Sequence, residues 1–312
     1  MQPALDTTYD VASAISQGRR PYQEDAIVSD FPIGSGMGFA VLADGMGGHA
    51  AGDVASKIVV TEVFSELKLQ SGEADAFAAN LPKILRDAAM AANDCVKGHI
   101  LDNSETAGMG ATLVASVLVG TQLYWISIGD SPLFLYRDGA LRQLNEDHSM
   151  APQIDFMVRT GMMAEDIGRN HPDRSCLTSV LGGEHVARVD CPAEPTDLKD
   201  GDILIVASDG IQYLSPEDLE EILASGADRS SRAIADTLLE RLKEHGDPEQ
   251  DNASFSVIKV SARDRRSQRK ARPRRIGARE EPLETDVTAR APSRFKSSIL
   301  LRGASLFRSS AQ

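Results

Sequence analysis

Cysteine is scarce: the 312-residue chain has three, Cys95, Cys176 and Cys191. They are odd in number, far apart and form no Cys-x-x-Cys pair. That argues against a disulfide framework or a thiolate zinc site and fits a reducing cytoplasm, the expected location. No cysteine sits in a Cys-x5-Arg cradle, so a phosphocysteine route has no support. No Asp-x-Asp-x-Thr follows a strand, which disfavours an aspartyl-phosphate intermediate. Long apolar runs are missing as well. Ala111 to Val119 is too short to span a bilayer and reads as a buried strand. Residues Met1 to Asp10 lack the basic start and apolar stretch of a secretory signal. No Gly-Lys-Ser/Thr follows the glycine-rich turns, so a P-loop is excluded.

What is present is ordinary for a globular protein: 42% hydrophobic and 25% charged residues. Charge is unevenly placed. From Ser261 onward there are 14 basic and 5 acidic residues, a net +9, which leaves −22 for residues 1–260. An acidic body repels phosphate backbones, so no nucleic-acid partner is expected. It suits divalent cations, although ordinary solubilising acid gives the same total. The arginine-rich segment 261–312 reads as a basic, disordered tail. Within it, Phe295 to Phe307 carries a weak amphipathic pattern that offers docking to an acidic or membrane surface as a minor alternative.

Four segments share one pattern, an apolar Val/Ile-rich run joined to an acid. Gly38 to Gly45 ends on Asp44, Gln122 to Asp130 ends on Asp130, and Gly201 to Gly210 ends on Asp209. In Asp251 to Val260 the order is reversed, and an antiparallel neighbour would bring Asp251 to the same sheet edge. Gly34, Gly36 and Gly38 precede a strand and read as a hairpin loop. Helical spacing marks His49 to Gln70 and Glu73 to His99. Ser215-Pro216 reads as an N-cap with proline in the first turn, and a further helix is expected from about Arg229 to Lys243, stopping at Gly246. Strand clusters between helix pairs favour an α+β layered fold. The segment 146–174 reads as a partly helical surface insert.

Any one Asp-Gly pair is explained well enough as a turn, with glycine taking the positive φ. Four strand-end acids are harder to explain that way, because clustered carboxylates must protonate or share cations. An all-oxygen set suits Mg²⁺ or Mn²⁺ better than zinc.

The ordered motifs resemble the metal-dependent protein phosphatases (PPM, type 2C serine/threonine phosphatases) in their bacterial form. The match rests on Arg20-Pro-Tyr-Gln-Glu24-Asp25-Ala26, Ala43-Asp44-Gly45-Met46-Gly47-Gly48-His49, Gly110-Ala111-Thr112, Gly129-Asp130-Ser131, Glu146-Asp147-His148-Ser149, His171-Pro172-x-Arg174 with Leu177-Thr178-x-x-Leu181-Gly182, Ala207-Ser208-Asp209-Gly210 and Asp251-Asn252. It spans about Ser13 to Val260, which sets a phosphatase domain at 1–260 with a flap-like insert at about 146–174.

The resemblance implies a four-layer α-β-β-α sandwich, two antiparallel sheets flanked by helix pairs. It implies hydrolysis of phosphoserine and phosphothreonine proteins by a hydroxide activated on a binuclear Mn²⁺ or Mg²⁺ centre, in a monomer opposing a bacterial serine/threonine kinase. By motif position, Asp44 bridges two metals, the Gly45 carbonyl binds one, and Asp209 and Asp251 complete the set. Glu24 and Asp25 act largely through water. Asp130 with Asp209 forms a more variable third site, and Arg20 holds the substrate phosphate, with a surface salt bridge as its plainer alternative.

Three positions depart from the family pattern. Met46 stands where eukaryotic relatives carry the histidine thought to protonate the leaving group, and a thioether cannot do so; a metal-bound water and His49 are the alternatives, His49 also reading as a cap or packing residue of the following helix. Pro132 replaces the arginine of Gly-Asp-Ser-Arg, and Asp53 replaces a glutamate. The competing reading is a catalytically weak or inactive phosphoprotein-binding regulatory module on the same fold.

Overall fold

In the computed structural model, residues 5–47, 51–72 and 74–264 are described. Gly48, His49 and the segment from 265 onward, including the expected tail helix, lie outside them.

The elements run β1 (Leu5–Ser16), β2 (Asp25–Asp30), β3 (Met37–Met46), α1 (Ala51–Gln70), α2 (Ala74–Asp102), β4 (Gly110–Ala111), β5 (Leu113–Val119), β6 (Gln122–Ile128), β7 (Leu133–Arg137), β8 (Ala140–Gln143), α3 (Ala151–Arg159), α4 (Glu165–Arg169), β9 (Thr196–Asp197), β10 (Ile203–Ala207), α5 (Pro216–Ser225), α6 (Ser231–His245) and β11 (Ala253–Asp264). One sheet has the order β1-β11-β10-β7-β8. The other has the order β2-β3-β5-β6-β9, with β4 paired to β3. All of these pairings are antiparallel.

Alternation along the strands builds three apolar layers. In β3, Phe39, Val41 and Ala43 face α1 and α2, where they meet Val59, Val63, Leu81 and Leu85. Their neighbours Ala40 and Leu42 face the other sheet, against Leu204, Val206 and Ile258. On the far side, Ile203, Ile205, Phe255 and Val257 pack on Leu219, Leu223, Leu238 and Leu242 of α5 and α6. The result is the expected α-β-β-α sandwich. At roughly 1.5–3 kcal/mol for each large apolar side chain buried, these layers hold the fold.

Local signals appear where the chemistry requires them. The Ser215 hydroxyl caps α5 by accepting from Asp218 N–H, Pro216 opens the helix, and Gly246 ends α6 in the left-handed conformation. The glycines at 34–38 sit in the β2–β3 hairpin, and 146–174 contains α3 and α4. β11 continues to Asp264, paired with Leu5. Regular structure thus persists four residues beyond Val260, because ladder bonds to β1 outweigh the change in composition. Among the described residues, no helix is long and apolar enough to cross a membrane.

Candidate metal and phosphate site

The sandwich brings the acids of both sheets to one edge. Asp44 lies near the end of β3, directly opposite Asp25 at the start of β2. Asp130 follows β6 across Gly129. Asp209 follows β10, and Asp251 precedes its antiparallel partner β11, so both ends meet. Arg20, Glu24, Asp44, Gly45, Asp130, Asp209 and Asp251 line one cleft of about 270 Å³. Asp25 lies behind it, 4% exposed. Every residue expected in the site is therefore at this edge.

Glycine serves here for a different reason from the one expected. Neither Gly45 nor Gly210 adopts a positive φ. They are small because backbones collide otherwise: a Cβ on Gly45 would lie 2.0 Å from the Gly52 carbonyl of α1, and one on Gly210 would lie 1.9 Å from the Asn252 carbonyl. The acids stay in place because backbone segments distant in the same chain pack against the glycines beside them.

Hydrogen bonds hold the acids' backbones and leave several side-chain oxygens unused. Thr112 Oγ1 accepts from Asp44 N–H at 2.9 Å and pairs with Ser131 Oγ at 2.7 Å. Asn252 Oδ1 accepts from Glu24 N–H at 2.7 Å, while its amide donates to the Gln17 and Tyr22 carbonyls, tying down the loop that carries Arg20. Ser208 Oγ donates to Asp25 Oδ2 at 2.8 Å. Glu24 Oε1, Asp25 Oδ1 and Asp209 Oδ1 are buried with no partner. The supporting roles of Asn252 and Ser208 escape sequence reading; their signal is adjacency to Asp251 and Asp209.

The electrostatics match crowded acids in a dry place. Burial raises the Asp25 carboxyl to about 7, against an ordinary 3.8, and the charges of Asp209 and Asp251 add to this. Asp130 is also pushed to about 7 by burial, then by Asp209 and Asp147. Asp44 is raised well above its ordinary range by burial and by Asp25, Asp209, Asp130 and Asp251. Asp209 rises by burial and the Asp251 charge, opposed by a hydrogen bond with Asp44. Burial lifts Glu24 as well, with Arg20 pulling it back.

Such a cluster fits divalent cations: the donors are all oxygens, some lack any protein partner, and mutual repulsion awaits a counter-charge. The acids do not form a closed cage. Among the described residues, no three His, Cys, Asp or Glu side chains converge as one ready ligand group. Arg20 instead donates to Asp251 Oδ2 at 2.6 Å, with about half of its side chain exposed. The salt-bridge alternative for Arg20 is thus realised, at the mouth of the cleft and on one of the expected ligands.

The departures from the motifs have visible settings. Met46 lines the cleft and is 41% exposed. Asp53 pairs with Lys57 one turn along α1. Without an arginine at 132, the 129–133 loop is braced by Asn145, which accepts from Leu133 N–H and donates to the Ser131 carbonyl.

Comparison with known proteins gives the family and the fold. The sequence profile of the family "Protein phosphatase 2C" matches residues 17–245. The chain is 32% identical over 219 residues to the serine/threonine phosphatase stp of Listeria monocytogenes serovar 1/2a, covering 70% of this chain and 82% of that protein. The crystal structure of the Mycobacterium tuberculosis serine/threonine phosphatase PstP/Ppp is similar at a TM-score of 0.68 and 28% identity, over 81% of this chain and 99% of that one. The catalytic domain of PstP in complex with two manganese ions is similar at a TM-score of 0.64 and 28% identity, over 82% and 99%. The chain belongs to the protein phosphatase 2C family, among its bacterial serine/threonine phosphatases.

Proposed function

We propose that this chain hydrolyses phosphoserine and phosphothreonine in proteins with a pair of divalent cations, Mn²⁺ or Mg²⁺, and so opposes a bacterial serine/threonine kinase. The observation that carries the reading is that Asp44, Asp209 and Asp251, brought from both sheets, line one cleft that also holds an arginine. In this reading Asp44, the Gly45 carbonyl, Asp209 and Asp251 hold the cations, Glu24 and Asp25 orient water around them, and Asp130 with Asp209 holds a third. When bound, the cations supply Lewis acidity towards water and the phosphoryl oxygens.

The chain's own groups do the rest. Arg20 leaves Asp251 and forks onto the phosphoryl group, for which its planar donors are suited. Thr112 fixes the Asp44 backbone, and Asn252 fixes the loop of Arg20 and Glu24. Met46 packs at the mouth and moves no proton.

Manganese-dependent hydrolysis of a phosphothreonine peptide, compared between the wild type and Asp44→Asn, tests the reading. Full activity in the variant, or in excess chelator, overturns it. A second reading, a phosphoprotein-binding module with an inactive site, draws on Met46 and on the Arg20–Asp251 pair. Calorimetric titration with Mn²⁺ separates the two, since a binding module has no need of a metal pair.

A further inference from the structure

The flap segment and the acid cleft meet at one buried side chain whose contacts go beyond packing. His148 is fully buried between them. Its backbone N–H donates to the Gly129 carbonyl at 3.0 Å, and its ring Nδ1 accepts from the Gly129 N–H at 3.3 Å. One residue thus grips both peptide groups of Gly129, next to Asp130. Nδ1 is the acceptor, so the imidazole is neutral with its proton on Nε2. Burial, which favours the neutral ring, agrees.

The other side of His148 faces Thr178, in the segment that follows the flap. Its carbonyl accepts from both Thr178 N–H and Thr178 Oγ1, each at 2.7 Å. Ser149 bridges Leu177 beside it. The flap side chains Asp147, Ser149, Asp155 and Arg174 line a cleft of about 380 Å³ that also includes Asp130 and Asp209. Gly129 passes the constraint inward. It has φ +102°, and a Cβ there would lie 2.6 Å from Thr112 Cγ2, the residue that holds Asp44. A continuous path therefore runs Thr178–His148–Gly129, then to Asp130 directly and to Asp44 through Thr112.

His148 Nε2 is buried without a partner, and the Glu146 carboxylate stands 3.9 Å away. Glu146 is thus the carboxylate placed to accept from that buried donor, which is costly to leave unpaired.

We infer that His148 is a positioning residue that couples the flap to Asp130 and sets the cation affinity of the Asp130–Asp209 side of the cleft. The inference rests on the proposed cation role of Asp130. Its test is calorimetric Mn²⁺ titration of the full chain, with Asp130→Asn defining the Asp130-dependent binding step.

His148→Leu removes the acceptor and is expected to weaken that step by about tenfold, the usual order for a residue that orients a ligand. His148→Asn, whose amide oxygen lies near the place of Nδ1, is expected to stay within about threefold of wild type. In the Asp130→Asn background, His148→Leu should add nothing. A folded His148→Leu protein that binds Mn²⁺ like wild type overturns the inference. So does an equal loss in both backgrounds, or an asparagine variant as weak as the leucine one. Should the leucine variant not fold, Thr178→Val decides: the same step weakens about threefold, and unchanged binding refutes the coupling. If Asp130→Asn itself matches wild type, the cation reading of Asp130 fails and this inference with it. If Asp130→Asn differs and His148→Leu does not, this inference fails alone.

Discussion

β3 contains two kinds of environment in one strand. Its middle, Phe39 to Ala43, is almost fully buried among apolar side chains of both neighbouring layers. Its end, Asp44, is partly buried at the cleft and faces four other aspartates. The middle gains free energy on folding, and the end costs it, because carboxylates out of water repel and hold protons. The difference shows that the cleft is not there to stabilise the fold. The apolar layers offset its strain, and cations or protons must relieve it.

Substitutions at the two ends of this contrast should separate cleanly. The largest effect is expected for Asp44→Asn, a loss of about a thousandfold in phosphothreonine-peptide hydrolysis, in line with removing a principal electrostatic group. In chelator the same variant should unfold at the wild-type temperature or above, since one repelling charge has gone. A lower unfolding temperature would break the contrast. Next comes Leu42→Ala, two residues earlier on the face between the sheets. It should destabilise by about 2–5 kcal/mol in urea unfolding, with Mn²⁺ affinity unchanged under native conditions.

Arg20→Ala acts on neither end of the contrast. It removes an exposed ion pair that contributes little to stability, so the unfolding temperature should hold. Peptide KM should rise about tenfold, which steady-state kinetics reads directly.

The smallest effect is on pH dependence in chelator. Asp25 and Asp130 reach about 7 when folded, against an ordinary 3.8. Between those values the folded chain holds more protons than the unfolded one, so stability falls as pH rises from about 4 to about 7. Chelated protein should therefore melt a few degrees higher at pH 5.5 than at pH 8, by calorimetry. Saturating Mn²⁺ competes with those protons and should reverse the order.

Much of this architecture is legible in the order of the amino acids. The alternation in β3 and β10 marks both faces of each strand, since side-chain direction has a period of two. Ser215, Pro216 and Gly246 mark helix ends through backbone chemistry local to them. The acids at strand ends mark the site because four such endings are costly without a purpose. Other features depend on partners distant in sequence. The need for glycine at 45 and 210 comes from Gly52 and Asn252, not from turn geometry. The persistence of β11 to Asp264 depends on β1, at the opposite end of the domain's sequence.

The order of motifs, the sheet-building strands and the identity of the acids were determined by the amino-acid sequence alone, since each is written in contiguous residues and their local preferences. Which carboxyl oxygens lack partners, that Arg20 rests on Asp251, and that His148 joins the flap to Gly129 were decided only by the tertiary structure. The physical reason is range. Backbone propensity acts over a few residues, whereas burial, repulsion and hydrogen bonding act between groups that only the packing of two sheets brings together.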